Sequence, residues 1–282
     1  MRYTQYSHAE AFLERMAGYF EQTEALNGLM FGLCLQLKHD LFRYGEQPLF
    51  ATVEEDGAIH LGVLMTPPYK LQLCTPTGYA AHSIETLAHG LMANKWDVPA
   101  VVAEEHLAES FAHVWATYQK CRYHEGQHLR IHELKQVQPI ASAHGEFGQA
   151  EPEDIETAVA WARAFHHDCF GTNAPERSIH LTEQRVRNGE VFFWRDPLPV
   201  SMAARNRPTP NGESVGLVYT PPEHRGKGYA TSVVAALSQR LLDEGKRFCG
   251  LYTDLANPTS NSIYRKIGYV PVADVIDIHF DY

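Results

Sequence analysis

Arg225, Gly226, Lys227 and Gly228 form a short basic turn between two strongly patterned segments. Val215 to Thr220 is an apolar, β-branched run that ends at Pro221-Pro222. Tyr229 to about Glu244 carries a helix pattern. A strand, a glycine-bearing turn and a helix start, in that order, build a site for an anion. The first N–H groups of a helix lack internal acceptors, and the helix dipole puts partial positive charge at that end. Glycines let the main chain approach a phosphate closely. Arg225 to Ala230 therefore reads as a pyrophosphate cradle. It is neither a Walker loop nor the dinucleotide fingerprint, because G-x-x-x-x-G-K-[ST] and G-x-G-x-x-G do not occur here.

Downstream, Phe248 to Asp254 reads as a strand and Asn257-Pro258 as a turn. Thr259 or Ser260 suits the N-cap of a short helix that stops at Gly268. Val270 to Phe280 returns to a strand pattern.

The pairing of R-G-K-G-Y-A at 225–230 with N-P-T-S-N-S-I-Y-R-K-I-G-Y at 257–269 resembles the GNAT superfamily of acyl-CoA N-acyltransferases. Arg225, Gly228 and Ala230 meet the family pattern [Q/R]-x-x-G-x-[G/A]. Asn257, Tyr264, Gly268 and Tyr269 meet the later one. The resemblance covers roughly residues 150–282. It implies acetyl-CoA as co-substrate and an amine as acceptor, either a small molecule or a peptide. It places the co-substrate against Val218, Tyr219, Thr220, Arg225, Gly226, Lys227, Gly228, Tyr229, Ala230, Asn257, Ser260, Asn261 and Tyr264. Tyr264 takes the family position of the general acid near the CoA sulfur, and a phenol can give a proton to a thiolate at neutral pH. The strand Val215–Thr220 would offer a backbone N–H to the thioester carbonyl. Glu213 is the first candidate for the general base, with Glu223 and Asp254 as alternatives near the same strand ends.

The chain has 282 residues, enough for two modest domains, and a net charge of −10. Such a charge repels nucleic acid and anionic membrane, so a phosphate-rich donor needs the local basic patch of His224, Arg225 and Lys227. No apolar run is long enough for a transmembrane helix, and the start lacks the core of a signal peptide. Five cysteines without a C-x-x-C fit reduced thiols in a cytoplasm. His166-His167 invites a metal, but neighbours on a helix point about 100° apart and share no ligand face; no metal is expected.

The chain also echoes itself. Ile59 to Pro68 and Ser214 to Pro222 both run from a strand into T-P-P, with 154 residues between Thr66 and Thr220. Ser83 to Asn94 and Glu104 to Lys120 then read as helices, Val98 to Ala103 and Leu129 to Val137 as strands. After Pro68 the chain continues as strand from Tyr69, without R-x-x-G-x-A. The expectation is a mixed α/β (α+β) chain of tandem GNAT-like domains, each a twisted mixed sheet flanked by helices. Residues 1–140 would form a degenerate copy and 150–282 the catalytic one, with the glycine- and proline-broken segment Gln136 to Pro152 between them. The catalytic half reads as helix, three strands, helix, strand, helix, strand. Its expected function is acetyl-CoA-dependent N-acetylation. The alternatives are a CoA-binding sensor without turnover and a GNAT-fold transferase with another activated donor. The sequence does not specify an oligomeric state.

Overall fold

One order of elements occurs twice along the chain: strand, two helices, three strands, helix, strand, helix, strand. In the computed structural model, which describes residues 1–282, the first pass runs β1 (Arg2–Tyr6), α1 (Ala9–Gln22), α2 (Gly28–His39), β2 (Leu49–Glu55), β3 (Ala58–Met65), β4 (Leu71–Cys74), α3 (Ala81–Ala93), β5 (Ala100–Glu104), α4 (Glu105–Gln119) and β6 (Arg122–Leu134). The second runs β7 (Glu146–Gln149), α5 (Ile155–Phe170), α6 (Glu176–Arg187), β8 (Val191–Arg195), β9 (Pro199–Asn206), β10 (Gly212–Tyr219), α7 (Tyr229–Asp243), β11 (Phe248–Asp254), α8 (Pro258–Ile267) and β12 (Val270–Asp281). The duplicated, mixed α/β plan is therefore present, but its register differs from the T-P-P echo. Thr66-Pro67-Pro68 closes the antiparallel hairpin β3–β4, with the Tyr69 N–H on the Thr66 carbonyl at 3.0 Å. By element order β4 matches β10, so Thr75 corresponds to Thr220 and the offset is 145 residues. A proline pair ends a strand in either setting because it cannot donate to the ladder. It does not say what comes next.

Two compact units divide the chain. The first comprises Met1–Ile131, Asp254–Ala256 and Val272–Tyr282. In its sheet β1, β2, β3 and β4 pair antiparallel, β4 pairs β5 in parallel, and β12 lies antiparallel to β5. The C-terminal strand thus leaves the 150–282 segment expected to hold it. The reason is packing: alternation along β12 puts Ile276, Ile278 and Phe280 on one face, where Phe280 meets Phe111 and Trp115 of α4 edge-on. On the other face Phe12, Phe20 and Phe31 of α1 and α2 cover Phe50.

The second unit comprises His132–Thr253 and Asn257–Pro271. Here β7, β8, β9 and β10 pair antiparallel and β11 joins β10 in parallel. Helices α7 and α8 bury Val233, Leu237, Leu241 and Ile267 against Val215, Cys249 and Leu251. Trp161 and Phe165 of α5 pack on the opposite face, over Phe193, Met202 and Tyr219. Two elements of this unit are not in the sequence reading. Helix α6 is polar overall and shows only a narrow buried line of Ile179, Thr182 and Val186. Strand β7 is four residues long and falls in the glycine-broken junction.

Candidate functional site

Strand β10 makes the opening on which the site is built. Its ladder with β11 covers only Gly212 to Ser214 against Phe248 to Gly250. Toward β9 the register shifts between Gly216 and Tyr219, and Leu217 lies at φ +50°. A leucine in the left-handed region costs about 1 kcal/mol or more, so the bulge is a built feature of the strand. A bulge frees main-chain groups from the ladder. Here it does so beside the gap where β10 and β11 part.

From β10 the chain passes through a turn of 3₁₀ helix, Pro222–His224, into the glycine loop. Gly226 and Gly228 lie at φ +78° and +83°, a region that favours glycine, and neither has anything crowding its missing side chain. The glycines therefore serve the backbone path and leave the approach open. Gly228 is the N-cap of α7, with no side chain capping the helix. The first helical bond runs from the Ser232 N–H to the Gly228 carbonyl at 3.0 Å. The N–H groups of Tyr229, Ala230 and Thr231 precede it and have no acceptor within the helix. This is a helix N-terminus of the anion-binding kind, with Lys227 exposed beside it.

The side chains around this loop divide into holders and free groups. Arg225 is a holder: its Nε donates to the Thr220 carbonyl at 2.9 Å, its Nη2 to Asp168 at 2.8 Å, and its guanidinium lies over the Tyr219 ring. Thr220 shares a hydrogen bond of 2.8 Å with Ser201. Tyr229 donates to Asp196 at 2.5 Å, and His144 shares the other Asp196 oxygen at 2.7 Å. Those two bonds hold the Asp196 carboxyl below the usual carboxylate range. Val218 and Tyr219 point to opposite faces, toward α7 and α5 respectively.

Helix α8 brings the second motif to the same unit. Asn257 is its N-cap, accepting from the Ser260 N–H at 3.0 Å, with Pro258 in the first turn. That replaces the Thr259 or Ser260 cap expected from the sequence, since an Asn before a proline supplies the acceptor one turn earlier. Asn261 donates back to the Asn257 carbonyl at 2.9 Å. Gly268 stops the helix at φ +111°. Tyr264 is buried, meets Tyr269 edge-on, and has no hydrogen-bond partner for its hydroxyl within the protein. Burial, with a smaller contribution from Cys169, holds its phenol well above the ordinary tyrosine range. It is therefore protonated at neutral pH and retains a proton to give.

Glu213 does not suit the role of base. It is buried, its two oxygens take Arg205 at 2.6 and 2.8 Å, and Lys246 stands 3.8 Å away. Arg205 also holds Glu244 at the C-terminal end of α7. Glu213 thus lies on the α7 face at the start of β10, whereas the bulge is at the other end of the strand. Both of its oxygens are thus already engaged by Arg205. The sequence reading did not single out Ser214, Tyr252 or Thr253. Thr253 is buried on β11 with an unpartnered hydroxyl, and Tyr252 and Ser214 also lack partners. Only their parity along β10 and β11 relates them to the gap, and parity has no meaning until the strands are paired.

Comparisons with known proteins bear on the fold. Residues 195–274 match the family model described as FR47-like protein. No curated protein matches. A Drosophila protein of known structure aligns over 99% of this chain and 98% of its own, at 12% identity and a TM-score of 0.70. A GCN5-related N-acetyltransferase from Sphaerobacter thermophilus aligns over 99% and 95%, at 14% identity and a TM-score of 0.61. A tandem GNAT protein from the clavulanic acid biosynthesis pathway aligns over 99% and 98%, at 12% identity and a TM-score of 0.56. The chain has a tandem GNAT fold. Within it, β10 is the bulged central strand of the second GNAT unit and 225–230 is the loop that leads to its helix. The first GNAT unit carries the same elements without that loop. No helix is long and apolar enough to cross a membrane.

Proposed function

We propose that the second unit is an N-acetyltransferase that takes its acyl group from acetyl-CoA and gives it to an amine. One observation carries the reading: a bulged strand parts from its neighbour and runs directly into an uncapped helix N-terminus through two left-handed glycines. The pyrophosphate of the donor binds the N–H groups from Gly226 to Ala230, with Lys227 alongside and Arg225 bracing the loop. Asn257, Ser260 and Asn261 shape the start of α8 beside the pantetheine arm. A main-chain N–H freed by the bulge between Gly216 and Tyr219 binds the thioester carbonyl oxygen and stabilises the negative charge that grows there.

The neutral amine attacks the carbonyl carbon, a C–N bond forms and the C–S bond breaks. The sulfur leaves as thiolate and takes the Tyr264 hydroxyl proton, the amine proton passes to solvent, and Tyr264 regains a proton from solvent before the next turnover. The first unit carries no catalytic part. The cytoplasm is the compartment we assign, on five cysteines that form no disulfide.

The test is an amine panel with acetyl-CoA, following release of free thiol. Thiol release that depends on an amine supports the reading. CoA binding without turnover on any amine would make the protein a sensor, and turnover only with another activated acyl group would change the donor.

A further inference from the structure

Every part that the acyl-transfer reading gives to the donor lies on one face of the second unit's sheet, the face covered by α7 and α8. The cradle opens α7, and Asn257, Ser260 and Asn261 open α8. Tyr264 packs in one cluster with Val215, Cys249, Leu251 and Ile267. Val218, just after the bulge in β10, packs against that cluster too.

Strand β11 brings one unpaired hydroxyl to this face. Successive side chains of a strand point to opposite faces. Cys249 and Leu251 are in the cluster, and the Cys249 thiol lies 3.6 Å from the Ser238 carbonyl of α7. Thr253 is next in that alternation and is 3% exposed. Its hydroxyl is buried and has no hydrogen-bond partner in the protein. Buried hydroxyls are ordinarily paired, and an unpaired one costs stability. Valine has nearly the same shape without that cost, so the hydroxyl points to something other than packing.

The ladder fixes the level of Thr253 along the strands. Ser214 and Gly250 are the last register partners of β10 and β11. Thr253 is three residues on from Gly250, as Leu217 is three on from Ser214. Leu217, at φ +50°, is inside the bulge between Gly216 and Tyr219. Thr253 therefore stands across the gap from the bulged segment, on the donor side of the sheet.

We infer that the Thr253 hydroxyl is a catalytic residue: it donates a hydrogen bond to the thioester carbonyl oxygen, opposite the main-chain N–H freed by the bulge. The inference rests on the acyl-transfer reading and adds a side chain to its chemistry. As the amine adds, the carbonyl oxygen gains negative charge. Two donors fixed on two strands stabilise that charge more than one does, and a donor shielded from water acts on it more strongly. The Thr253 proton stays on its oxygen throughout. Tyr264 serves the sulfur and Thr253 the oxygen.

Thr253→Val tests it by removing the hydroxyl and preserving the shape. With an amine that the wild-type protein acetylates, kcat should fall roughly 10²–10³-fold, the usual cost of one oxyanion donor. Affinity for CoA, which lacks the acetyl group, should not change. The melting temperature should hold or rise, because an unpaired buried hydroxyl is gone. Thr253→Ser retains the hydroxyl and should keep most of the turnover. Infrared spectra of bound acetyl-CoA, isotopically labelled at the acetyl carbonyl carbon, give a readout that needs no turnover. Hydrogen bonds lower the carbonyl stretch, so it should lie at higher wavenumber in Thr253→Val than in the wild type. An unchanged kcat or an unchanged carbonyl stretch overturns the inference. So does a parallel loss of affinity for CoA and acetyl-CoA, which would make Thr253 a contact of the pantetheine arm. A loss of kcat shared by Thr253→Ser would make it a packing residue. Thr253→Ala takes the place of valine in the same comparison if the valine variant does not fold. The acyl-transfer reading fails separately, if wild-type protein releases no thiol with any amine; the carbonyl stretch then decides the Thr253 contact alone.

Discussion

The loops that follow β4 and β10 occupy the same place in the two units and do different things. Thr75 to Ala80 is short, has no arginine or lysine, and turns once at Gly78, φ +78°. Tyr79 ties it to α4 through the His106 carbonyl at 2.9 Å and Ser110 at 3.1 Å. The Ser83 hydroxyl is spent on the Ala80 carbonyl at 2.7 Å. Thr220 to Gly228 is longer, turns twice, and presents Lys227 to an uncapped helix end. The sheet faces differ in the same sense. The parallel ladder of the second unit pairs Ser214 with Gly250, and that of the first pairs Gln72 with Val102. Next to them the fully buried Asp277 is closed by Lys70 and by the Gln127 N–H at 2.7 Å. One fold therefore carries two different loops and two different sheet floors, and the proposed chemistry is assigned to the loop of the second unit.

The largest effect expected to sharpen this comparison is at Gly228. Gly228→Asp puts a side chain and a negative charge on the cradle and should abolish CoA binding in calorimetry. Gly78→Asp imposes the same left-handed penalty, about 1 kcal/mol or more of stability, and should leave CoA affinity unchanged. Equal effects of the two variants would show that the loops do not differ in function.

Tyr264→Phe comes next. It removes one oxygen and preserves the ring packing against Tyr269. The kcat at saturating acetyl-CoA should fall roughly 10²–10⁴-fold, the usual range for a general acid, with CoA affinity within a few-fold. The loss sits in kcat because the proton moves only in the transition state. A near-normal kcat would make Tyr264 a packing residue.

Binding stoichiometry should be one CoA per chain. Two would show that the first unit also binds the co-substrate, and would remove the contrast between the loops.

Glu213→Gln should act on stability rather than chemistry. Removing one charge from a buried, bidentate pair costs roughly 3 kcal/mol, read as a lower melting temperature. Protein that remains folded should keep its kcat. A collapse of kcat at unchanged stability would return Glu213 to the site.

The smallest expected effect belongs to the first unit. His279 stacks on His124 at 5.5 Å, and burial, then the Lys70 and His124 charges, lower its pKa. The folded state therefore binds its proton less readily than the unfolded chain does. The stability His279 allows is complete above the ordinary histidine range and declines as pH falls through it. A melting temperature that drops less on acidification in His279→Gln would show this contribution, while acetyl transfer at fixed pH should not change.

Much of the fold was legible in local pattern. The order of strand, basic glycine turn and helix at 215–244 needs no partner to be read, because glycine freedom, helix start and charge are properties of neighbouring residues. The boundaries of β11, and the strand character of 270–280, follow from alternation in the same way. Helix α6 and strand β7 were not legible, since one is too polar and the other too short to leave a period.

What the sequence determined by itself was the glycine turn: Gly226 and Gly228 allow the left-handed backbone path that leads into α7. The register of the repeat, the unit to which β12 belongs, and the capture of Glu213 by Arg205 and Lys246 were decided by tertiary structure. Each depends on which strands pair and at what offset, and a shift of one residue would send every one of those side chains to the other face.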